Sequence, residues 1–141
     1  MSVTQGLTAA LPKPQPDDPG RRLLLFGLRQ MGAHGLADAA TAHAFVTAFG
    51  KDFRRPLILL RAFVQEMSAT SAGPIQIAPW CCGRMTCAEV AVLDVLGRVE
   101  REPRTAAILL ADLLGTRAPE GVLATAHAVA RAFSDLGLPL D

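Results

Sequence analysis

Tyrosine is missing from this 141-residue chain, tryptophan occurs once, and aromatic residues make up only 5% of it. A stacking platform for single-stranded nucleic acid needs more aromatic surface than that. An excess of charge of one sign is also missing. The 14 basic and 13 acidic residues leave a formal net charge of +1, so no global field draws the chain to nucleic acid. Long apolar runs are lacking. The densest, LLLFGL at 23–28, is far short of the roughly 20 residues that span a bilayer, and no membrane partner is expected. The opening MSVTQGLTAALPKPQPDDPG has neither the basic start nor the apolar stretch of a secretory signal. Cysteine is scarce too. The three present are an odd number crowded into residues 81–87, which argues against a disulfide framework and for a reduced, cytoplasmic protein. No glycine-rich phosphate loop, nucleophile elbow, dinucleotide fingerprint, C-x-x-C or H-E-x-x-H occurs. Without a complete catalytic constellation, an enzyme is not the expected reading, and no cofactor is implied.

What is present is apolar and helical. Half of the residues are hydrophobic, enough for one core in one domain. Residues 1–18 hold Pro12, Pro14 and Pro16 without apolar periodicity and read as a flexible, proline-rich tail. Residues 19–141 read as a single helical domain. Asp18 caps a first helix with Pro19 at its first position, and Gly32 and Gly35 should end it. Leu23, Leu24, Leu25, Phe26 and Leu28 cover most of its circumference, which makes it a central helix. A second helix is predicted over about 36–49, with Gly50 as its stop. A third carries Pro56 in its first turn and a stripe of Leu57, Leu60, Val64 and Met67. The capping box Thr86-x-x-Glu89 starts another at Cys87. Pro103 and Pro119 open the last two, closed by Gly115 and Gly137. The fold class is therefore all-α: a compact array of about six short helices, with a disordered N-terminal tail and a long central loop over 68–85. Loops of that length are often functional.

Three readings compete for that loop. Metal binding would use Cys81, Cys82 and Cys87 with a histidine such as His34, but there is one cysteine cluster where zinc sites commonly have two paired elements, and no C-x-x-C. A reactive thiol would favour Cys87, placed at a helix N-terminus with Arg84 three residues before it. The favoured reading is structural: the cysteines pack as small hydrophobes, and Trp80 plugs the end of the bundle. A separate candidate is an anion or small-ligand pocket lined by Arg54, Arg61 and Arg84. Residues 54, 58 and 61 share one helical face.

The segments LRQMGAHGLADAATAHAFVTAFGKDFRRPLILLRAFVQEMS, IAPWCCGRMTCAE and LADLLGTRAPEGVLATAHAVARAFSDLG resemble a family of small, uncharacterised bacterial proteins, a domain of unknown function. The resemblance covers most of the chain after residue 20 and implies no activity, cofactor or catalytic residue. The leading expectation is a small helical protein–protein interaction module that takes a protein partner or forms a homo-oligomer. The alternatives are the thiol or metal site at 79–89 and the arginine-lined ligand pocket.

Overall fold

The computed structural model describes residues 11–141; the expectation of a flexible tail over residues 1–10 lies outside the described residues. Six α-helices are present among the described residues: α1 (Pro19–His34), α2 (Ala39–Phe49), α3 (Arg54–Thr70), α4 (Cys87–Arg98), α5 (Pro103–Leu114) and α6 (Glu120–Asp135). A single 3₁₀ turn, Gly50–Asp52, joins α2 to α3. The all-α expectation holds.

Local chemistry sets most boundaries. The Asp18 carboxylate accepts the Arg21 amide at 2.9 Å, with Pro19 at the first helical position. Asp38 accepts both the amide and the hydroxyl of Thr41, each at 2.9 Å. That cap starts α2 at Ala39, three residues later than the apolar pattern suggests. Gly32 does not end α1. It lies inside the helix, where an added Cβ would run into Ile77, and the stop is Gly35 with φ 102°. Pro119 sits at the N-cap of α6, just ahead of the helix it was expected to open from within.

α3 and α6 form the most extensively packed pair, α4 and α5 form a hairpin beside them, and α1 lies against α2, α3 and α4. α1 is buried on most of its circumference from Leu24 to Met31. It approaches α3 closely because Gly27 has no side chain: a Cβ there would stand 2.8 Å from Leu60 Cδ2. Phe133 of α6 meets Phe45 and Phe49 of α2 edge-on, at centroid distances of 5.8 and 5.2 Å. After α6, the Leu138 and Pro139 carbonyls lie against Gly20 of α1, the Leu140 carbonyl lies against Gly97 of α4, and Arg101 pairs with Asp141 at 2.5 Å, so the C-terminal segment straps α1 to α4. No helix among the described residues is long and apolar enough to cross a membrane.

One feature departs from the expected organisation. Lys13–Pro14 (β1) pairs antiparallel with Arg84–Met85 (β2), in the register Lys13↔Met85 and Pro14↔Arg84. The Gln15 amide extends the ladder to the Gly83 carbonyl at 2.7 Å. Part of the stretch 1–18 thus belongs to the folded unit. The cause is Arg84, whose Nε donates to the Leu11 carbonyl at 2.9 Å and whose Nη2 donates to that of Pro12 at 3.1 Å.

Candidate functional site

The 71–86 loop is held from beneath by one buried ion pair. Arg29, in the middle of α1, and Glu89, at the third position of α4, have side chains 1% and 0% exposed. Nε of Arg29 donates to Oε2 of Glu89 at 2.8 Å and Nη2 to Oε1 at 3.1 Å, a bidentate pair. The guanidinium also donates to two loop carbonyls, Cys82 and Arg84, at 2.8 Å each. The carboxylate accepts the loop amides of Ala78 (3.2 Å) and Thr86 (2.9 Å). A charge buried to this degree is tolerated only when its hydrogen-bonding capacity is used up. Here each member makes two hydrogen bonds to its partner and two to the same loop, so the pair acts as a clasp. The Thr86 hydroxyl adds a donation to the Gln76 carbonyl at 2.7 Å and accepts the Glu89 amide at 3.1 Å.

The clasp grips the loop by its backbone, which decides where the side chains go. The Cys82 amide donates to the Pro79 carbonyl at 3.0 Å, closing a tight turn. Trp80 and Cys81 are the central residues of that turn and are thrown outward: Trp80 is 63% exposed and Cys81 is exposed. The expectation that Trp80 plugs the bundle and that the cysteines serve as buried filler is therefore corrected. Cys87 is also exposed, and Cys82 is intermediate. Cys81 lines a cleft of about 640 Å³ with Trp80, Leu23, Phe26, Arg22 and, at its base, Arg29. Cys87 instead borders a second cleft, also about 640 Å³, between α4, α5 and the loop. His34 is exposed at the far end of α1. Among the described residues no group of three or more His, Cys, Asp or Glu could hold a metal ion.

The three candidate arginines have separate surroundings. Arg54 is exposed, with its guanidinium carbon 6.0 Å from the Phe53 ring centroid. Arg61 is half-buried on α3 and its buried Nε has no hydrogen-bond partner. Arg84 is committed to the N-terminal segment as described above. None of the three lines the Trp80 cleft; Arg22 and Arg29 do.

The second cleft is the more apolar surface. Ile75, Ala88, Ala91, Leu109 and Leu113 form its walls. At its rim runs a ridge on α5: Arg104, Ile108 and Asp112, spaced four residues apart on one helical face. All three are exposed, Ile108 at 70%. Arg104 and Asp112 make no ion pair among the described residues, whereas neighbouring Arg101 and Glu102 do.

Sequence reasoning missed Arg29 and this ridge. The signal for Arg29 was its place in a helix apolar on nearly every side, where a charge needs a partner from elsewhere in the chain. No curated protein and no solved structure matches the chain. The family comparison agrees with the resemblance found in the sequence: the chain belongs to a family of unknown function, DUF6628, whose model matches residues 3–139.

Proposed function

We propose that this protein is a small helical interaction module whose docking face is the α4–α5 groove with its α5 rim. The observation that carries this reading is Ile108, 70% exposed beside an apolar cleft of about 640 Å³. Exposed apolar residues scattered singly need no explanation. Ile108 differs because Leu109 and Leu113 continue the apolar surface into the groove. Grooves of this kind accept the apolar face of a helix. A photo-crosslinking residue at position 108, with position 58 of α3 as a control (Ile58 is 58% exposed), tests it in cells. Adducts with the same identified protein from 108 only, lost on introducing Leu113→Glu, are expected. Equal adducts from both positions, or none, contradict it.

A second reading is favoured by Trp80. Its indole, Phe26 and Leu23 offer apolar walls, and Arg22 stands at the same cleft with no ion pair among the described residues. Because Glu89 neutralises Arg29, the lining carries one net positive charge. A small aromatic monocarboxylate matches that chemistry. Titration of 3-phenylpropionate against the fluorescence of this single tryptophan should show saturable binding that Arg22→Gln weakens about tenfold. Equal binding of 3-phenylpropionamide would sink this reading.

A further inference from the structure

Resting on the docking face just described, we infer that its occupant is a second copy of this chain, packed antiparallel through α5 about a two-fold axis at Ile108. The ridge is self-complementary. Arg104 lies four residues before Ile108 and Asp112 four residues after it. Placing the two-fold axis on Ile108 sets Arg104 of one copy opposite Asp112 of the other, and the reverse pair follows by symmetry. Each residue that lacks an ion pair within the described chain thereby gains one. The isoleucines meet at the centre, where water exclusion is greatest. Ala107 and Ala111 lie beside the ridge with short side chains, and each is half-buried already. These short side chains leave room for the facing ridge to approach closely while Ile108 stays on the axis. A foreign helix would need matching charges at matching spacing; this helix already carries its own complement.

One three-turn helix per protomer makes a small interface, so dissociation in the micromolar range is expected. Sedimentation equilibrium of the full chain from about 1 to about 500 µM reads this directly. The expected result is a concentration-dependent rise from the 14.9 kDa chain mass toward twice that value. Arg104→Glu sets Glu against Asp112 of the other copy, and Asp112→Arg sets Arg against Arg104. Either alone should weaken association at least about tenfold, and the double charge swap should restore it to within about threefold. All positions are solvent-facing, so the variants keep the fold, checked by circular dichroism. A wild-type monomer at every concentration overturns the inference. A dimer indifferent to the single changes, or not rescued by the swap, overturns it as well. In both cases adducts from position 108 to a different protein would leave the docking face standing, which separates the two failures.

Discussion

Glu89 has no spare acceptor capacity. It takes two donations from Arg29 and two from loop amides, about the full complement of a carboxylate. Glu89→Gln turns one acceptor into a donor facing donors and leaves the Arg29 charge buried without a counter-ion. We expect a loss of about 3–5 kcal/mol, read from the urea midpoint. Replacing both members by Arg29→Met and Glu89→Leu should not recover that loss, although buried pairs elsewhere can be exchanged for apolar residues. The reason is local: the carbonyls of Cys82 and Arg84 and the amides of Ala78 and Thr86 would lose their partners. The capping role of Glu89 was legible in the sequence because a capping box spans only four residues. Its pairing with Arg29, 60 residues away, was not, because no local pattern encodes which distant element will meet it. The cysteines follow the same logic. Hydrophobic character suggested burial, but the Pro79–Cys82 turn sets side-chain direction. In the native protein a thiol reagent should modify Cys81 and Cys87 before Cys82, the only one of the three that is partly covered. Uniform protection of all three would contradict the outward-facing turn.

At the scale of elements, caps and breakers announced nearly every helix. Asp18, Gly35, Gly50, Thr86, Pro103 and Gly115 act at the ends where the structure places them. Asp38 was overlooked as a cap because apolar Leu36 ahead of it suggested an earlier start. Thr86→Ala should cost about 1–2 kcal/mol in thermal unfolding. It removes the cap hydrogen bond to the Glu89 amide and also the donation to Gln76, which ties the loop to α4. Gly27→Ala should destabilise as well, despite the better helix propensity of alanine. Its methyl would meet Leu60 at 2.8 Å in a packed interface. The β1–β2 contact had no legible signal. Two residues per strand carry no alternation, and the pairing depends on Arg84 reaching the Leu11 and Pro12 carbonyls.

Across the whole molecule, the division of labour is between a fixed loop side and an open α4–α5 side. The clasp and the C-terminal strap fasten α1, α4 and the loop together, whereas α5 meets solvent with Ile108 flanked by opposite charges. Val46, Ile58 and Trp80 are the other large exposed hydrophobics among the described residues, and none lies on α5. The α5 ridge was not legible in advance because it is defined by what the fold leaves uncovered, not by its own composition. A direct test uses a background in which Cys81, Cys82 and Cys87 are serine and a single cysteine is placed at 108 or at 58. Residues on a two-fold axis meet their own copies, within the short Cα separation that a disulfide needs. Mild oxidation should therefore link Ile108→Cys into covalent dimers rapidly while Ile58→Cys stays monomeric; equal rates at both positions, or no linkage at 108, would contradict the pairing of two copies through α5 about Ile108.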